Sequence, residues 1–225
     1  MKSVCMIIVG LLGCGLASAE ITSRSKDIII EQPKDLHEVA QTVGQAMEIR
    51  SLGNGSTYLY IEQQSLSRIA ILDITDTAHI KAVGVVRIDA AGSYDFVRSL
   101  GGGTELISFR ENKGAAILDF RNPKAPTLIH ADALQQATRF DSIGDTGLLL
   151  NNAPRLGAAG LPHEYQIIDC DDPRAPQVLL RVGGVEKKLV NPDTGTTFLL
   201  AADGLTVIRQ PKVEEAYRAE QTATE

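Results

Sequence analysis

Three carboxylates recur with matching neighbours, and they are the residues on which chemistry would first be sought. Asp73, Asp119 and Asp169 each close an apolar run (Ile71-Leu72, Ile117-Leu118, Ile167-Ile168), and a second polar residue stands three positions on: Asp76, Asn122 and Asp172. Carboxylates brought from several units to one centre would offer a hard cation its oxygen ligands. The competing reading keeps each carboxylate in its own unit, accepting backbone N–H groups of the turn that follows. Recurrence in the three well-formed copies favours the turn. Asp171, Asp141 and Asp145 read as solvated turn residues by the same argument, and no D-x-D-x-D-G loop is present. The four histidines, His37, His79, His130 and His163, show no H-x-x-x-H or H-E-x-x-H spacing, although His79 and His130 follow the repeat turn at similar points. There is no Gly-x-Ser-x-Gly elbow for a nucleophile. Gly101-Gly102-Gly103 lacks the helix and lysine that a phosphate loop requires and reads as a hairpin turn. No metal, haem or other cofactor is expected.

The carboxylates belong to a repeating unit that must position them. Counting each as position zero, position four is Thr77, Pro123 and Pro173, and position seven is Ile80, Pro126 and Pro176. An Asx residue before proline accepts backbone hydrogen bonds while proline presets φ for the turn. The second proline cannot donate to a ladder and marks the start of the next strand. Strands over 82–86, 127–129 and 178–180 follow. Two degenerate copies lie at the ends, around Gln210-Pro211-Lys212 and Gln32-Pro33-Lys34. The zero positions are then 29, 73, 119, 169 and 207, spaced by 44, 46, 50 and 38 residues. Upstream of the last four copies lie paired strand-like runs (46–52 with 57–62, 94–100 with 104–110, 139–143 with 147–151, 188–190 with 196–201), each pair joined by a turn containing glycine. Four strands per forty-odd residues predicts an all-β chain built as a small β-propeller of four to five blades: four full four-stranded blades plus an N-terminal half blade. Length excludes a seven-bladed monomer. Either a small ring closes on the half blade, which edge-strand physics favours, or the array stays open and its exposed edges push it towards a homodimer.

This repeat resembles that of the LVIVD-repeat proteins, exported or cell-surface β-propellers of largely unassigned function. The resemblance spans roughly residues 27 to 217. It departs from the pattern at Thr77 and Ile80, where both prolines are replaced, and in the end copies, which lack the zero-position aspartate. It implies an architecture and an exported location, and it supplies no catalytic residues.

The first nineteen residues read as a signal peptide: Met1-Lys2, an apolar run from Val4 to Leu16, and a small-x-small site ending at Ala19. The rival reading takes Leu11-Leu12-Gly13-Cys14 as a lipobox that anchors the chain through a lipid on Cys14. The apolar run is too short to span a bilayer. Loss of Lys2 takes the formal net charge of −6 to −7, and this acidic, unpatterned surface argues against nucleic acid and anionic membranes. Cys5 and Cys14 leave with the signal, so Cys170 is the sole mature thiol, read as a buried strand residue, and the core must hold the fold without a disulfide.

The repeat domain is placed at 20–217 and a flexible tail at 218–225. Leu36, Val39, Val43 and Met47 fall at helical spacing and predict a short amphipathic helix over 35–48. An insertion at 152–163 accounts for the longest repeat spacing and is a natural place for function. Two functional expectations follow. The first is a non-enzymatic scaffold in the periplasm or outside the cell, contacting an envelope protein or polymer. The alternative is a periplasmic hydrolase or lyase with its pocket at the axial mouth, which requires His or acidic residues from several blades to converge.

Overall fold

The structure is a computed structural model that describes residues 27–135, 137, 139–144, 146–151 and 163–224. The expected signal peptide with Ala19 and Cys14, Asp145 and the insertion at 152–162 lie outside these. Alternating apolar residues and glycine-containing turns produce antiparallel meanders. The first sheet runs β1 (Ala46–Ser51), β2 (Thr57–Gln63), β3 (Arg68–Asp73) and β4 (Lys81–Arg87) in sequence order. The second repeats that order with β5 (Tyr94–Gly101), β6 (Thr104–Phe109), β7 (Ala115–Asp119) and β8 (Thr127–Ile129). The third has six strands: β9 (Arg139–Ile143), β10 (Gly147–Asn151), β11 (His163–Asp169), β12 (Gln177–Val190), β13 (Thr197–Ala201) and β14 (Gly204–Ile208).

That third sheet corrects the expectation of four separate four-stranded blades. Runs 178–180 and 188–190 are one continuous strand, β12, which is both the last strand of the third unit and the first of the fourth. Gly184, at φ +67°, and a register shift between Val185 and Lys187 mark where β12 bends. The sheet curls there, so that Leu149, Tyr165 and Ile167 of the third unit pack with Val185, Leu199 and Ala201 of the fourth.

Period-two alternation gives each sheet two apolar faces. Ile69 and Ile71 face the second sheet and share a core with Ile107, Phe109 and Leu118. Leu106 and Ile117, on the other face of that sheet, meet Leu148, Leu150, Ile168 and Cys170 of the third. Cys170 is fully buried, and desolvation pushes its thiol up to about 11, which suits a packing role.

Both ends depart from the repeat. Ile28–Ile30, expected in the half blade, form no strand, and Pro33–Asp35 is a short 3-10 turn. The helix expected over 35–48 is a single turn, α1 (Glu38–Gln41). The chain is already extended by Gln45, whose N–H donates to the Glu62 carbonyl (3.0 Å), and Met47 pairs with Ile61 on β2. Strand pairing outweighs the helical spacing there. Pro211 holds the place of Pro123 and Pro173 but opens helix α2 (Pro211–Thr224) instead of a fourth strand, so most of the tail expected at 218–225 is helical.

Candidate functional site

The repeat residues occupy equivalent places. Asp73, Asp119 and Asp169 are the last residues of β3, β7 and β11, each paired with the first residue of the next strand (Lys81, Thr127, Gln177). Each Oδ1 accepts the backbone N–H two residues on, from Thr75 (2.9 Å), Arg121 (3.0 Å) and Asp171 (2.9 Å). The carbonyls of Asp76, Asn122 and Asp172 accept from His79, Ala125 and Ala175 at 2.9 to 3.0 Å, closing the turn in which Pro123 and Pro173 take the second place. Pro126 and Pro176 stand immediately before β8 and β12, where no ladder donor is lost. The carboxylates are thus turn acceptors. Hydrogen bonds hold Asp73 and Asp119 below the ordinary carboxylate range, from Thr75 and from the Arg121 guanidinium respectively. Among the described residues, no three His, Cys, Asp or Glu side chains come together as a metal centre.

The histidines lie on separate elements. His37 caps α1, its Nδ1 accepting from Val39 N–H (3.3 Å); His79 meets Asp76 (2.7 Å); His130 Nε2 reaches the Asp89 carbonyl (3.2 Å); His163 opens β11. His79 and His130 do not act alike, since only one has a carboxylate partner among these contacts.

The first strands carry a pattern that the repeat search missed. Arg50 and Arg98 both sit fifth in their strands, and Lys188 lies on β12 where the fourth unit begins. Each cation reaches a neighbouring unit. Arg50 pairs with the buried Glu105 (2.9 Å) and lies 4.8 Å over the Phe120 ring; Arg98 donates to the carbonyls of Gly144 (3.2 Å) and Gly147 (3.1 Å); Lys188 pairs with Asp141 and approaches the Tyr165 ring. A basic residue in the first strands of three of the four units was the available signal. Glu105 is 3% exposed, and desolvation together with the nearby Glu48 outweighs Arg50, pushing its carboxyl up to about 7.

A polar cleft of about 440 Å³ opens between the first and second sheets, lined by Gln45, Gln64, Ser93, Arg110, Glu111 and Lys113. Arg110 forks onto Asp95 and also donates to the Gln45 carbonyl (3.0 Å). Behind it Glu62 and Tyr94 are each 1% exposed, and among the described residues Glu62 Oε2 and the Tyr94 hydroxyl have no hydrogen-bond partner. Burial raises both pKa values.

The largest departure from a satisfied surface is apolar. Leu189 pairs with Phe198, Phe198 with Val207, and Leu200 with Leu205, so these five share one face of the fourth unit. Leu189 is 71% exposed, Leu205 60%, and Leu200 and Val207 44% each. The outer face of the first sheet is its counterpart at the other end, with Met47 67% and Ile49 60% exposed. Scattered apolar side chains are normal on a surface; two contiguous faces are not.

No protein-family model matches the chain, and no curated protein is similar to it. Among solved structures it is similar to Saccharomyces cerevisiae Sqt1 (TM-score 0.39, 6% identity over 74% of this chain and 48% of that one). It is also similar to a functionally unknown protein from Desulfotomaculum acetoxidans (TM-score 0.41, 12% identity, 72% and 54%) and to a eukaryotic initiation factor (TM-score 0.29, 9% identity, 73% and 55%). The chain spans about half the length of the solved structures it matches.

Proposed function

We propose that the protein is an exported, non-enzymatic scaffold whose units are blades of an LVIVD-type β-propeller, and that it binds an envelope protein or polymer through its apolar end face. One observation carries this reading: Leu189, Leu200, Leu205 and Val207 stand exposed around the half-buried Phe198 on one face of a sheet. The regular charged residues are spent on turns and on ties between units, which fits a body that presents a surface. The hydrolase or lyase alternative gains no support among the described residues, because the histidines sit on separate elements and the repeat carboxylates accept turn N–H groups.

The test is capture from envelope extract with purified protein as bait, beside Leu205→Asp. The scaffold reading expects a partner retained by the unmodified chain and lost at least tenfold with the variant. Equal recovery by both, or none above background, overturns it.

A further inference from the structure

The polar cleft between the first two sheets has two buried groups directly behind its wall. Gln45 and Gln64, which line it, both touch Glu62. The Gln45 N–H donates to the Glu62 carbonyl (3.0 Å). The Gln64 amide, turned as its neighbours require, donates to Glu62 Oε1 (3.3 Å) and to the Gly92 carbonyl (3.1 Å). Ser93 precedes Tyr94, and Arg110 follows Phe109, the residue paired with Tyr94 on β6. The Arg110 N–H donates to the Ser93 carbonyl (2.8 Å) and fixes that side of the wall. Burial raises the Tyr94 hydroxyl and the charge of Glu62 raises it further, so the two groups act on each other.

The charges around the cleft cancel in pairs, except one. Arg110 is spent on Asp95 and on the Gln45 side chain (3.2 Å), and Lys113 meets Glu111 (2.8 Å). Arg110 attracts Glu62 only from beyond ion-pair reach, and burial outweighs it. Glu62 is therefore the unbalanced charge, and among the described residues its Oε2 and the nearby Tyr94 hydroxyl are without partners. Native chains rarely bury such groups unpaired, because each costs stability. The loop that brings Arg110 and Lys113 to the cleft is strained as well, with Glu111 and Asn112 at left-handed φ values of +61° and +56°.

We infer that the cleft binds a small primary amine, whose ammonium reaches Glu62 Oε2 and the Tyr94 hydroxyl oxygen while its body lies among Gln45, Gln64, Ser93 and Lys113. An ammonium carries three donors and no acceptor, which matches a carboxylate oxygen and a phenol oxygen that both lack a donor. Its charge balances Glu62, and the buried setting strengthens that attraction. An oxyanion would be repelled by the same carboxylate. A hard divalent cation needs six or more oxygens, and among the described residues no third His, Cys, Asp or Glu joins the site. The cleft, at about 440 Å³, is of the size that small-molecule sites take. Gln64 lines it, touches Glu62 and is half-buried, so it is the side chain that turns aside on entry. The site uses only the first two sheets and is independent of the apolar face of the fourth unit.

The probe is ethanolammonium chloride, followed by thermal unfolding of the full chain in amine-free phosphate buffer. Tetramethylammonium, sodium and potassium chloride at equal ionic strength run beside it. A molecule that binds only the folded chain raises Tm with its own concentration. A rise with ethanolammonium alone is expected, and its loss in Glu62→Gln and in Tyr94→Phe. Without probe, Tyr94→Phe should unfold no earlier than the unmodified chain, because it deletes a hydroxyl that has no partner. An equal rise with sodium or potassium would make the ligand a metal ion, and an equal rise with tetramethylammonium would be an effect of salt; either overturns the inference. So does a rise with ethanolammonium that both variants keep, or no rise at all. Earlier unfolding of Tyr94→Phe without probe would mean that the hydroxyl is already satisfied within the fold, and overturns it too.

Discussion

Glu105 is where a single residue most affects the energetics. Its carboxyl rises from an ordinary 4.5 to about 7 on folding, so the folded chain binds that proton more tightly than the unfolded one. The stabilisation is then fully present below about pH 4.5 and is lost as pH rises through about 7, a fall of at most about 3 kcal/mol. Urea unfolding near pH 5 and near pH 8 should show this slope in the unmodified protein, and Glu105→Gln should flatten it; equal slopes would contradict the assignment. Asp119 tests the turn role. Asp119→Asn keeps an acceptor for Arg121 N–H and should cost less than Asp119→Ala, which should lose about 1–2 kcal/mol in the same assay. The turn roles of Asp73, Asp119 and Asp169 were legible in sequence because they are local, an acceptor two residues from its donor. The ties of Arg50, Arg98 and Lys188 were not, because each depends on which unit lies beside it, and spacing along the chain does not state that.

At the scale of elements, alternation and glycine-containing turns foretold the strands of the first two sheets almost to the residue. The failures share a cause. Gly183-Gly184 has the composition of a break, yet β12 runs through it because strand pairing continues on both sides, to β11 and to β13. The helical spacing of Leu36, Val39, Val43 and Met47 lost to the pairing of Met47 with Ile61. Helix α2 was visible in principle: proline at its start, then Glu, Ala and Arg, all good helix formers, with Glu214 held by Thr196 (3.1 Å) and Arg209. Two glycines separate conformation from close approach. Gly55 and Gly114 share φ near +88°, but a Cβ on Gly55 meets nothing, whereas on Gly114 it would lie 2.1 Å from the Gln135 carbonyl oxygen. Gly55→Ala should cost about 1 kcal/mol and Gly114→Ala well over 2 kcal/mol, read from unfolding midpoints. Similar losses for both would mean that the connector does not press on the second sheet.

The whole molecule is a succession of like units whose shared faces form the core, and among the described residues its outer faces carry exposed apolar side chains. Repetition was readable from the sequence; the merger of the third and fourth units and the exposed ends were not, since both are properties of how units meet. The most direct measurement is a double-mutant cycle by urea unfolding on Tyr60 and Phe120, whose rings meet at 4.5 Å between the first and second sheets. Stacked units predict a coupling of about 0.5–1.5 kcal/mol between the two substitutions. Losses that simply add would contradict that account.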